Sequence, residues 1–212
     1  MFVESNWVVD VCAPAFRRSP SALALLDRAA RGEISMHVPS IALREAKSVI
    51  LRKYQPKEQA ILQQFRKWAV EHGQIDSRES AAANDFLTRF SNTVAMELAH
   101  LDDRIAEVAN SRGMNVFALD EAMLNRSISL RTEVPDPGLK PFDETILAAV
   151  LVRATELAPE HLRLFCTADL DLSPIVRNNT RKHLAAVYDQ AKIEVRTNFD
   201  IDDLVSPSSR DT

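Results

Sequence analysis

Five short segments of strand character recur along the chain: MFV at 1–3, ISMHV at 34–38, MNVFAL at 114–119, RLFC at 163–166 and KIEVR at 192–196. Each is separated from the next by stretches in which apolar residues repeat at helical spacing. That alternation predicts an α/β fold around a central, mostly parallel sheet of four to five strands. With only four glycines in 212 residues, the rest is expected to be largely helical. Helices are predicted from Ser21 to Arg31, stopped by Gly32, and from a Ser40 cap to Tyr54, stopped before Pro56. Others are predicted over 57–72, 77–111, 120–130, 143–157 and 174–190. The stretch from 56 to 112 holds no strand signal and reads as a helical insertion, and VPDPGLKP at 134–141 as a turn-rich connection. The expectation is one domain over 1–205 and a frayed tail over 206–212.

Composition narrows the class of function. Apolar content of 46% with 26% charged residues is that of a soluble globular protein, and no stretch approaches the roughly 20 apolar residues that span a bilayer. No membrane partner is expected. The first residues lack a basic segment followed by a long apolar one, and the two cysteines, Cys12 and Cys166, have no metal-type spacing, so a reducing cytoplasm is the expected location. A net charge of −4 argues against coating nucleic acid through bulk positive charge and confines any such contact to one face.

The informative residues are acids. Ligands of open α/β sheets bind beyond the carboxyl ends of the strands. Glu4 follows MFV there, and Asp169 and Asp171 of LFCTADLDLSP follow RLFC. Each alone is compatible with ordinary turn chemistry. Two further acids sit on the apolar side of a helix. Glu45 is four residues from both Ile41 and Val49, and Asp143 stands three and four residues before Ile146 and Leu147. An Asp in a first helical turn is also explained by capping and the helix dipole. Inward acids with no histidine or lysine partner read beside them repel one another unless a cation sits among them. An all-oxygen set suits Mg2+ or Mn2+, and such an ion hydrolyses phosphodiesters by activating water and clamping the phosphate. The chain has no nucleophile elbow, phosphate-binding glycine loop or H-x-x-x-H pair that would suggest other chemistry.

The order of these elements resembles the PIN domain family. E-S-N stands after the first strand, P-S-x-x-x-x-E on the second helix, D-E-T-I-L-A-A on a later helix and T-A-D-L-D-L near the end. The segment FALDEAMLNRSISLRTE also resembles what precedes the family's third acid. The resemblance covers residues 1–55 and about 114–197. It implies a three-layer α/β/α fold and a metal-dependent nuclease, foremost a ribonuclease such as the toxins of bacterial toxin-antitoxin pairs, with DNA retained as a second substrate. It assigns Glu4, Glu45, Asp143 and Asp169 as catalytic metal ligands, Asp171 as an accessory ligand, and Asn6 and Thr167 as supporting residues. An antitoxin or other protein partner and a homo-oligomer are further expectations from the family. The chain departs from the pattern in carrying Glu rather than Asp as the first acid, and in its length.

Asp10 competes with Glu4 for the first place, because WVVD could end the first strand; on a helix after E-S-N it would instead play a supporting role. Basic residues gather in FRRSP (Arg17, Arg18), in Arg44, Lys47, Arg52 and Lys53, and in RNNTRKH. Arg177 and Arg181, four apart on the helix predicted after Asp171, are candidates to bind phosphates. The five histidines have no metal spacing, and Trp7 and Trp68 are expected in the core. DLDLS resembles the nucleophile motif of haloacid-dehalogenase-type phosphatases, but the acidic IDD at 201–203 follows too closely to leave room for that sheet. The remaining rival is a PIN-like fold that binds RNA or protein without cutting.

Overall fold

A computed structural model describes residues 1–54, 57–134, 139–177 and 179–201, for 57–61 the backbone alone. The expected tail at 206–212 and most of IDD lie outside the described residues. Five parallel strands form the central sheet: β1 (Phe2–Val3), β2 (Met36–Pro39), β3 (Met114–Phe117), β4 (Arg163–Cys166) and, numbered in chain order, β7 (Ile193–Arg196). Their order is β3-β2-β1-β4-β7, with helices flanking the sheet in an α/β/α arrangement. All five strands predicted from the sequence are present.

β1 is the axis of this sheet. Phe2 pairs with His37 of β2 on one side and Phe165 of β4 on the other. Phe2, Val3, Phe165 and Cys166 are all fully buried, as strands covered on both faces require. The strand order runs outward in opposite directions from β1, so the topological switch point, where ligands of open α/β sheets bind, falls beyond the carboxyl ends of β1 and β4.

Helix α1 (Ser5–Cys12) begins at once after β1, which places Asp10 on a helix. It packs with α2 (Pro20–Ala30), α3 (Ser40–Tyr54) and α6 (Leu101–Ala109). Trp7 is fully buried, and its indole N–H donates to the Ala22 carbonyl at 3.1 Å. Gly32 ends α2 at φ +79°, the left-handed cap expected of it. On the other side, α7 (Glu121–Glu133) packs against α8 (Pro141–Glu156), and α9 (Lys182–Gln190) against β7.

Three expectations are corrected. The helix predicted over 77–111 is two, α5 (Ser77–Ala99) and α6, broken at His100. There the Arg104 guanidinium takes up a carbonyl of the last turn of α5, donating to Glu97 O at 2.6 Å, and also reaches the Cys12 carbonyl at the end of α1 at 3.3 Å. The helix predicted over 174–190 starts only at Lys182, because an antiparallel hairpin of β5 (Ile175–Val176) and β6 (Asn179–Thr180) precedes it. The Ser173 hydroxyl bonds locally to both the N–H and the C=O of Ile175, competing with a helical start, and Arg177 turns the chain at φ +49°. Trp68 is not in the core. It lies exposed on α4 (Lys57–Glu71), which packs chiefly against α5 and so has no second layer to cover it.

Candidate metal centre

Glu4 leaves β1 and caps α1. Its Oε2 accepts from the Asn6 N–H at 2.6 Å and the Ser5 hydroxyl at 3.0 Å. Its Oε1 accepts from the Thr167 hydroxyl at 3.3 Å. With 1% of its surface exposed, the carboxyl is pushed up to about 7 by burial, and the charge of Asp169 adds to the rise. The hydrogen bonds from Asn6, Ser5 and Thr167 oppose that rise without cancelling it.

Beyond β4, Thr167 is fully buried, and its hydroxyl oxygen also accepts from the Asp169 N–H at 3.0 Å. Asp169 Oδ1 accepts from the Asp171 N–H at 2.8 Å. These two bonds wind the TADLD segment into a turn that sets the Asp169 charge against Glu4 and leaves Asp171 to pair with Lys140. Asp143, 6% exposed in the first turn of α8, accepts the Lys140 N–H at 3.3 Å. Burial pushes it up to about 6, Asp169 and more weakly Glu45 add to the rise, and Lys140 opposes it. Glu45 reaches the same neighbourhood from α3, and its Oε2 is buried with no hydrogen-bond partner among the described residues. An orphaned buried oxygen of this kind is costly unless a donor or cation completes it.

The fold therefore links these acids in pairs, with Asp169 acting on both Glu4 and Asp143, and Glu45 acting on Asp143. It does not draw them into a finished cage: among the described residues, no three carboxylate, imidazole or thiolate side chains converge as a ready ligand set. The donor set still fits a hard divalent ion. Mg2+ takes one or two carboxylates and keeps several waters, and Glu45 has an oxygen to give.

Other expected residues lie elsewhere or act differently. Asp10 is not brought to the acids. It is raised by burial at the far end of α1, with Lys53 as the opposing charge. Asn6 contributes its backbone N–H to Glu4. Arg177 and Arg181 do not share a helix face: Arg177 is exposed in the hairpin, while Arg181 caps α9 and donates to the Asp171 carbonyl.

Sequence reasoning overlooked Lys140 as a partner. Its ammonium sits 2.9 Å from Asp171 Oδ2, and that bond, then the charges of Asp171, Asp143 and Asp169, raises its pKa. The signal was present in KPFDE, where a lysine stands just before a proline-started helix and three residues before its acid.

No protein-family model matches the chain, and no characterised protein matches it in sequence. Among the described residues, no helix is long and apolar enough to cross a membrane.

Proposed function

We propose that the protein is a metal-dependent nuclease of PIN type that hydrolyses phosphodiester bonds, with RNA as its substrate. The observation that carries this reading is the unbalanced charge beyond β1: two buried acids held toward their protonated forms and a third with an orphaned oxygen. Such an arrangement is costly alone and is completed by a cation. A bound Mg2+ or Mn2+ would supply electrophilic help to the phosphate and acidity to an attacking water. Glu45, Asp143 and Asp169 would hold it, with Asp171 behind them. Glu4 orients the strand end, and the Thr167 hydroxyl fixes Glu4 against Asp169. Lys140, exposed at the rim, offers a cation to an approaching phosphate.

One observation favours a second reading, a non-catalytic PIN-like binding module. Both oxygens of Glu4 are already engaged by Ser5, Asn6 and Thr167. Thermal unfolding with and without Mg2+ or Mn2+ separates the two. The nuclease reading expects the ion to raise the midpoint of the wild type but not of a Glu45→Ala, Asp143→Asn double variant. No effect on the wild type would leave the binding module. Cleavage of single-stranded RNA, structured RNA and DNA with Mn2+, compared between wild type and Asp143→Asn, then identifies the substrate.

A further inference from the structure

Two basic stretches far apart in sequence meet in the fold, and rings lie between them. Phe16, in the short 3-10 turn Ala15–Arg17 after α1, stands 5.2 Å centroid to centroid from Phe90 of α5 and 6.4 Å from Tyr54 at the end of α3. Phe86 extends the row, stacked at 14° on Phe90 with centroids 6.4 Å apart. These rings are not packed away: Phe16 is 51%, Phe86 67% and Phe90 42% exposed. The Arg17 guanidinium lies 5.9 Å from the Phe16 centroid, and the Lys53 ammonium 5.6 Å from that of Tyr54. Arg18 and Arg52 stand beside them in sequence, with the Arg18 guanidinium donating to the Ala13 carbonyl at 3.0 Å. The nearby acids are partly occupied, with Asp10 facing Lys53 and Glu97 accepting the Ala15 N–H at 2.7 Å.

We infer that this row is a stacking platform for single-stranded nucleic acid, the segment of a substrate strand that extends past the carboxylates. Exposed rings in series offer faces to unstacked bases of any sequence, and the flanking cations meet the backbone. A purely apolar protein contact would account for the rings but not for the cations set over them. Helix α3 joins the two places. Glu45 and Tyr54 are nine residues apart, about 14 Å along the axis and on opposite flanks, with the exposed Arg44 just before the first and the exposed Arg52 two residues before the second. The inference rests on the nuclease reading for the cutting of that strand, while binding is measured without it.

The test uses the full chain carrying Asp143→Asn, in EDTA, with a fluorescein-labelled oligouridylate about 12 nucleotides long followed by anisotropy. Phe16→Leu and Phe90→Leu, which keep apolar bulk but lose the ring, should each weaken binding by about 5- to 100-fold, and Phe16→Trp should retain it. Arg17→Ala should flatten the slope of log K against log salt by about 0.7. Unchanged affinity and slope in these variants overturn the inference, as does failure of the parent to bind RNA. So does a leucine variant that changes the sedimentation of the protein but not its RNA affinity, which would assign the row to a protein contact. A metal-stabilised protein whose row variants bind normally keeps the nuclease reading and loses this one. Row-dependent binding without any metal effect does the reverse.

Discussion

The Thr167 hydroxyl donates to Glu4 Oε1 at 3.3 Å, so the end of β4 is fastened to the end of β1 through the most buried acid of the cluster. The same oxygen accepts the Asp169 N–H, which sets where the next carboxylate can lie. Thr167→Val should therefore cost about 1–3 kcal/mol, since it removes a donor from a buried carboxyl and an acceptor from a turn. It should also raise the Glu4 midpoint above about 7, read by NMR titration of the labelled carboxyl carbon. Thr167→Ser should restore both. A Glu4 midpoint unmoved in the valine variant would mean that this bond contributes nothing.

Glu4 also sets a pH dependence. Its native pKa of about 7 lies above the ordinary 4.5, so between those values the native chain binds a proton that the unfolded chain has released. Stability of the metal-free protein should then fall as pH rises through that window, by on the order of 3 kcal/mol for this group. Asp143, moved from 3.8 to about 6, acts in the same direction. His37 acts oppositely, because burial lowers it to about 4 and the unfolded chain takes its proton first as pH falls below 6.5. Urea unfolding of wild type and Glu4→Gln from pH 4.5 to 8 isolates Glu4 in the difference, which should grow with pH. A flat difference would contradict a raised Glu4.

Lys140 holds Asp171 and is raised by the charge of Asp143, so an ion bound as proposed would compete with it for both. Lys140→Met should tighten Mn2+ binding about two- to fivefold by calorimetry, the modest size reflecting an exposed pair. Weaker binding in the variant would reverse the assignment and make Lys140 a support of the site.

Gly113 is required by close approach as well as by backbone angle. At φ +81°, a Cβ there would meet the Ala29 carbonyl oxygen at 2.3 Å. Gly73, at φ +65°, has open space around it. Gly73→Ala should cost about 1 kcal/mol, the ordinary cost of a side chain in this region, and Gly113→Ala distinctly more. Equal urea midpoints for the two variants would show that the loop at Gly113 gives way.

The strands and the acids were legible because both are written in local pattern. An apolar run such as RLFC has few alternatives in a helix-rich chain, and Glu45 stands out against the stripe it interrupts. What stayed hidden depends on partners distant in sequence or on small local bonds. At the break at His100, Arg104 bonds the Glu97 carbonyl and reaches back to Cys12 of α1, and Lys140 gains its meaning only when α8 is set beside the turn after β4. The hairpin at 175–180 turns on one serine hydroxyl and one left-handed arginine, which helical periodicity does not register. Trp68 misled because size and apolarity report what a residue would gain from burial, not whether a layer exists to bury it.

The pairing at the centre of the sheet also sets a timetable. Glu4 and the threonine that holds it are 163 residues apart, and β1 has only two residues with which to pair. Closing so long a loop yields little until both neighbours of β1 are in place, so the acidic cluster is among the last features to assemble. A chain still emerging from the ribosome, short of β4, would carry Glu4 with neither the Thr167 hydroxyl nor the Asp169 charge beside it.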